Sequence, residues 1–395
     1  MTSQVLDAPD DVEESPQRSP RTRPGLLSVW LFIVAGLVFA MVVVGGATRL
    51  TQSGLSMVEW DPVSGAIPPL SNSAWQEEFD AYRATPEFKH VNSEMTLSQF
   101  KGIFWWEFAH RLLGRVIGAA LAVPFVWFLY RRAIPPGFAR RLVVLVLLVG
   151  LQGAIGWWMV ASGLVDRPDV AHERLALHLV TALILLSALI WVGLDLRTLD
   201  QHETADSTPG GEADVSPDAS ASTELGGKSF PLAVSFIVVL FAQFALGAFV
   251  AGLNAGRIHN TWPTMNGSWI PHGINELSPV WSNAVDNPIA VQFLHRWFAV
   301  VVVVVSIALA WSLFRVGSTR LATVLEAVVL IQFTLGVLTL LHAVPVGLGI
   351  AHQAGGAALL VVAVISTHHV RPSGHARFEK RDPLAGALMD APTRA

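Results

Sequence analysis

The sequence predicts an all-α membrane protein whose eight transmembrane helices form two parallel-repeat four-helix bundles. Three observations carry this. Only 14% of the 395 residues are charged and 52% are hydrophobic, against about 25% charged in soluble domains. Eight apolar stretches are long enough to cross a bilayer, which takes about 20 residues each. A histidine recurs near the start of every second stretch: His110, His178, His295 and His352.

The stretches fall at 27–47, 107–130, 141–162, 173–195, 231–253, 290–314, 320–342 and 347–369. Lys and Arg set their orientation, because cytoplasmic flanks carry the excess. Of the 26 Lys and Arg residues, sixteen flank one side, among them Arg131, Arg132, Arg140, Arg141, Arg315 and Arg320. Both termini are therefore expected in the cytoplasm, with the four histidines near the outer surface. Residues 1–26 read as a disordered cytoplasmic tail; their acids, Asp7 to Glu14, are unlike a mitochondrial targeting peptide. A bacterial plasma (inner) membrane is the expected location. The segment 200–228 holds seven acids and one Lys among Ser, Ala and Gly, and reads as a flexible linker. It separates an N-terminal half, 27–199, from a C-terminal half, 229–370; residues 371–395 form a second cytoplasmic tail.

The first outer loop, about 48–106, has its own pattern. Ser73 with Gln76 and Thr96 with Gln99 are capping-box spacings. Trp75, Phe79 and Tyr82 share one helical face, which predicts a short amphipathic helix at the membrane surface. The second span's helix is expected to begin well before the bilayer, at the Thr96 cap. Eight of the 14 Trp residues, including Trp60, Trp105, Trp269 and Trp281, lie in or beside outer loops and read as an interfacial belt.

The halves resemble each other. "EFAHRLLGRVIG" aligns with "QFLHRWFAVVVV", and "GLQGAIG" with "LIQFTLG", pairing Gln152 with Gln332 and Gly156 with Gly336. An even number of spans per half makes the repeats parallel. Paired imidazoles on facing helices are a means of holding haem iron, so each half supplies one candidate pair. The chain has no cysteine, which excludes thiolate sites and covalent c-type haem attachment. Its net charge of −4 comes without basic blocks of nucleic-acid type. Gly114, Gly118, Gly349, Gly355 and Gly356 lie near the histidines, where they admit either a flat macrocycle or a close neighbouring helix. Arg111 and Arg296 face two readings, haem propionates or lipid headgroups. Glu107, one turn before His110, has no carboxylate counterpart, since position 292 is Gln292. It reads as the mark of the reactive site, passing protons or holding a partner, or as a carboxylate paired with a nearby Arg. The other histidines, His172, His259 and His368 among them, read as solvated or interfacial.

Residues 45–118, from "GGATRLTQSGLS" through "TPEFKHVNSEMTLSQFKGIFWWEFAHRLLGRVIG", resemble the haem A synthase family in its cysteine-free form. So do "AGLNAGRIHNTWPTMNGSWIP" at 251–271, "FLHR" at 293–296 and "PVGLGIAHQAGGAALL" at 345–360. The resemblance covers about 27–370. It implies an eight-span oxidoreductase that oxidises the C8 methyl of haem O to a formyl group, through hydroxylated intermediates, to make haem A for cytochrome oxidase. It implies a resident haem b whose iron is held by His295 and His352, substrate haem O at His110 and His178, and Glu107 as the catalytic residue of the Glu-x-x-His motif. Implied partners are haem O synthase and an electron-transfer protein, in contact with membrane lipid and not with nucleic acid. The competing reading is a non-catalytic dihaem electron carrier, which the asymmetry of Glu107 against Gln292 and the elaborate first loop disfavour.

Overall fold

Apolar composition over 23 or more residues, interrupted only at the loops, produces eight helices long and apolar enough to cross a membrane. The computed structural model describes residues 22–59, 64–165, 167–206 and 217–372. These contain α1 (Pro24–Leu50), α2 (Asn72–Arg83), α3 (Pro86–His90), α4 (Leu97–Tyr130), α5 (Ala139–Ala161), α6 (His172–Asp206), α7 (Pro217–Gly252), α8 (Asn283–Asp286), α9 (Pro288–Arg315), α10 (Thr319–Leu341) and α11 (Val346–His369). The spanning helices are α1, α4 to α7 and α9 to α11. Among the described residues there is no strand, only an isolated bridge between Met265 and Ser268. The protein is all-α and multi-pass.

Two features differ from the expected boundaries. Helix α6 continues to Asp206 and α7 starts at Pro217, so helix enters the 200–228 segment from both ends. Residues 207–216 of that segment, Trp60, most of the 1–26 tail and residues 373–395 lie outside the described residues.

Neighbouring helices close two rings of four. Helices α1, α4, α5 and α6 touch in that order and back to α1; α7, α9, α10 and α11 do the same. The rings share a seam in which α1 meets α11, α6 meets α7, and α6 meets α11. One apolar core runs through α1, α4, α5 and α6 and takes in Ala357, Leu360 and Val364 of α11; a second fills α7, α9, α10 and α11. Gln353 of α11 ties the seam by donating to the carbonyl of Val42 of α1, 2.6 Å away. Its amide lies where a Cβ on Gly46 would stand, 2.5 Å from Oε1, so a side chain at position 46 would collide with it. At the end of the bundle away from the four histidines, Asp195 of α6 accepts from Arg141 at 2.8 Å, from His368 at 3.0 Å, and from Arg371. His368 is thereby a structural clamp rather than a solvated residue.

The cap over the histidine end of the first half is built by the loop between α1 and α4. The Thr96 capping box forms: Gln99 donates its N–H to the Thr96 hydroxyl, and the Thr96 N–H donates to Gln99 Oε1 at 2.9 Å. This satisfies donors that a helix start leaves free, and α4 begins ten residues before the apolar stretch, as the spacing predicted. The first expected capping box is displaced. Ser71, in extended conformation, is the cap of α2 and accepts from the Ala74 N–H at 3.1 Å, while Ser73 only bonds Ser71. The amphipathic face of α2 is also covered differently from expectation. Trp75, Phe79 and Tyr82 are buried against Phe100 and Phe104 of the α4 extension and Phe108 just beyond it, not against lipid.

Candidate active site: two histidine pairs

Each of the four histidines meets a glycine on the adjacent helix. A Cβ added to Gly45 of α1 would lie 3.2 Å from His110 Nε2. One on Gly156 of α5 would lie 2.8 Å from His178 Cε1. The C-terminal half repeats the arrangement, with Gly247 of α7 at 3.0 Å from His295 Cε1 and Gly336 of α10 at 2.9 Å from His352 Cε1. The glycines let each imidazole lie against a neighbouring backbone, which fixes its rotamer by packing. Glutamines hold the same helices. Gln152 donates to the His178 carbonyl at 2.9 Å and stands 3.1 Å from its Nδ1. Gln332 donates to the His352 carbonyl at 2.9 Å and stands 3.2 Å from its Nδ1. Gln243 of α7 donates to the His295 carbonyl at 3.1 Å; the corresponding position on α1, one turn before Gly45, is Met41.

His295 and His352 face each other with ring centres 6.4 Å apart and planes at 89°. Among the described residues this is the one ring-to-ring contact between two of the four histidines. Two imidazoles that shared one iron would have ring centres about 6 Å apart, given a metal–nitrogen bond of ~2 Å and a further ~1 Å from nitrogen to ring centre. The spacing of His295 and His352 is compatible with the two rings holding one such ion. His295 Nδ1 is buried without a hydrogen-bond partner among the described residues. The glycines around His352 serve the helix-packing reading and not the macrocycle one. Cβ atoms on Gly349, Gly355 and Gly356 would meet Leu50, Gln332 and Phe244 at 2.7, 2.3 and 3.2 Å. Gly114 and Gly118 have only ordinary contact distances, 3.5 and 4.0 Å, to Met41 and Val149.

Above the histidines, one turn earlier on α4 and α9, sit two loop clamps. Glu107 is 2% exposed. Its Oε2 accepts from the Ser56 hydroxyl at 2.7 Å and the Met57 N–H at 2.9 Å; its Oε1 accepts from Arg111 at 2.6 and 3.0 Å. Arg111 also donates to the carbonyls of Met57 and Glu59. Of the readings open to Glu107, the arginine pair is the one formed, and Arg111 is turned to protein groups rather than to lipid headgroups. In the second half, Gln292 donates to the His259 carbonyl at 3.1 Å, and Arg296 donates to the carbonyls of Thr261, at 2.7 Å, and His259. Arg296 is 7% exposed and has no carboxylate within ion-pair distance among the described residues; its Nε, Gln292 Oε1 and His259 Nδ1 are buried without partners. His259 is thus a clamped loop residue, not a solvated one. His172, also expected to be solvated, bonds Asp286 at 3.0 Å and rests on Gly252 and Phe249, joining α6 to α8.

Sequence reasoning passed over one further carboxyl. Glu87 of α3 is 5% exposed and its Oε2 has no partner. Burial is the main cause that raises its pKa to about 7; the charges of Glu107 and Asp169 push the same way, while Tyr82's hydrogen bond and Arg49 pull it down. Arg49, from the end of α1, pairs with Asp169 at 2.9 Å and reaches the carbonyls of Ala251 and Gly252. The glycines of α1 and α7 were likewise missed, because those spans carry no histidine and the alignment of the halves rested on polar residues.

The site defines a class: a polytopic helical membrane protein with two histidine pairs, each ring packed on a glycine of the adjacent helix. The family model described as cytochrome oxidase assembly protein, COX15-CtaA, matches residues 28–364. A haem A synthase of Sphingopyxis alaskensis is 46% identical over 348 residues, 88% of this chain and 93% of that protein. One of Caulobacter vibrioides is 46% identical over 359 residues, covering 90% and 98%, and one of a Bradyrhizobium species 43% identical over 360, covering 89% and 94%. The chain belongs to the haem A synthase family.

Proposed function

We propose that the protein is a haem A synthase: an oxidoreductase that oxidises the C8 methyl of haem O to the formyl group of haem A. Membership of the family and the eight spanning helices support this. We further assign a resident haem b to His295 and His352, and the substrate to His110 and His178. The single observation behind the first assignment is the 6.4 Å separation of His295 and His352.

The resident haem, when bound, supplies one-electron redox chemistry. The rest is work for the chain's own residues. Gly247 and Gly336 seat the two imidazoles, and Gln243 and Gln332 fix the backbone that carries them. Arg296, a buried guanidinium surrounded by carbonyls and lacking a carboxylate, is the natural partner for an acidic edge group of a tetrapyrrole. In the first half Glu107 uses both oxygens to hold Arg111, Ser56 and Met57. It fixes the loop at 53–59 above His110 and keeps water from that face. Glu107 then acts by positioning, through the loop and Arg111.

The remaining assignments are a bacterial inner membrane with both termini cytoplasmic, and passage of the poorly soluble substrate from haem O synthase. Pigment extraction and chromatography of the purified protein tests the central assignment. Haem b together with haem O, haem A or a hydroxylated intermediate is the expected yield. Two equivalents of haem b alone per chain would make the protein a dihaem carrier instead.

A further inference from the structure

Oxidising a methyl to a formyl group breaks carbon–hydrogen bonds, and hydrogen that leaves as protons needs a path from a covered site to water. Glu107 is poorly built for that path, because donors fill both of its oxygens. A proton arriving there would break an ion pair or a loop contact. A second buried carboxyl lies in the same cap with the opposite geometry. Glu87 sits on α3 beneath α2 and the α4 extension, and one of its oxygens is buried and empty. The adjoining residues Lys89 and His90 are exposed, so water is one helical turn away. Tyr82, fully buried, accepts at its hydroxyl from Asn92 at 2.8 Å. Its own proton is left to bond Glu87, the interaction that lowers the carboxyl's pKa.

We propose that Glu87 is the proton-exchanging carboxyl of the first-half site, taking up a proton on its empty Oε2 and releasing it to water on the outer side. This rests on the assignment of substrate to His110 and His178. Each cycle is a carboxylate that gains one proton from the site and returns to a carboxylate by losing one to water. The ionisable groups that act on it are Tyr82 of α2, Glu107 of α4, Arg49 of α1 and Asp169 of the loop before α6. The two carboxylates favour its neutral form and the guanidinium favours its ionised form. Burial adds to the former, and the net result is a group that changes charge at about pH 7, where a relay must both accept and release.

Infrared difference spectroscopy on the purified full-length protein, titrated through about pH 7, reads the group directly. The expected result is a protonated-carboxyl band that disappears as the pH rises and is missing in Glu87→Gln. In membranes co-expressing haem O synthase, Glu87→Gln is expected to keep its haem b, lower haem A output at least about tenfold, and flatten the pH profile. Glu87→Asp should restore part of the output. A titrating band that survives in Glu87→Gln, or wild-type output with an unchanged profile, overturns the proposal. If Glu87→Gln loses its haem b through misfolding, Tyr82→Phe decides: it removes a bond that favours ionisation, so the band's midpoint must rise, and an unmoved midpoint refutes the assignment. A band that titrates as stated in a protein yielding no haem O or haem A would sink the substrate-site reading instead.

Discussion

The N-terminal parts of α4 and α9 carry the same arrangement with one changed atom: Glu107, His110 and Arg111 in the first half, Gln292, His295 and Arg296 in the second. In both, the first and third residues grip the backbone of the loop overhead while the histidine turns into the helix bundle. The first clamp contains its own counter-charge, with Arg111 bonded to Glu107 at 2.6 Å. The second has none, and Arg296 is held by carbonyl dipoles alone. Breaking a buried ion pair by removing one partner costs about 3–5 kcal/mol, so the first clamp is closed against change. The second keeps a buried positive charge and four unpartnered polar atoms, on His259, Gln292, His295 and Arg296. One scaffold thus yields a sealed site and a site still electrostatically incomplete. The difference accords with a first half that covers a substrate and a second that binds a permanent acidic group.

That contrast breaks most sharply at the histidines. His352→Ala is expected to abolish resident haem b, read from the visible spectrum of the purified protein, while His178→Ala leaves it in place and removes haem O binding. The reverse ranking would exchange the two assignments. The clamps come next. Glu107→Gln should strand Arg111 and destabilise the protein by about 3 kcal/mol, with haem A output lost and haem b kept. Gln292→Glu should do the opposite, raising the melting temperature of the haem-free protein by pairing Arg296. A fall in melting temperature would show that the carbonyls already satisfy that guanidinium. A smaller effect is expected at the glycines: Gly336→Ala places a Cβ at 2.9 Å from His352 and should shift the haem b spectrum, whereas Gly156→Ala should leave it unaltered. Equal spectral shifts in the two variants would deny that the pairs hold different ligands.

The smallest expected effect is on the cap. Glu87 has a folded pKa of about 7 against an ordinary 4.5, so the folded cap binds a proton more tightly than the unfolded chain does. Stability from this group is complete below about 4.5 and declines as the pH rises to about 7. Hydrogen exchange in α2 and α3 should quicken over that window, and Glu87→Gln should remove the trend. Acceleration in the opposite direction would contradict the burial of a neutral carboxyl.

How far these features were legible depends on whether their cause is local. The Thr96–Gln99 cap and the early start of α4 follow from four consecutive residues, and the amphipathic face of α2 from eight. The span limits follow from apolar runs, and every spanning helix overlays its expected stretch. What covers a face is another matter. Trp75, Phe79 and Tyr82 signal burial without saying whether lipid or protein buries them, and only the extra turns of α4 answer that. Glu87 lies beside Lys89 and His90 in a polar segment, so its burial comes wholly from helices packed above it. The glycines at 45 and 247 gain meaning only when the histidines of α4 and α9 are brought beside them. Gln152 and Gln332 were visible because both halves repeat them; Gln243 was not, because the first half has Met41 in its place.

Gln353 joins residues 311 positions apart, reaching from the last span to a carbonyl of the first. Synthesis runs the other way, so α1 enters the bilayer long before α11 exists. Until then Gly46 presents a notch with nothing in it, and the flank of α1 that will meet α11 faces lipid or a chaperone. The ribosome must therefore deliver nearly the whole chain before its opening helix is finished. A premature stop anywhere ahead of Val346 would leave the second ring open and the flank of α1 that meets α11 uncovered.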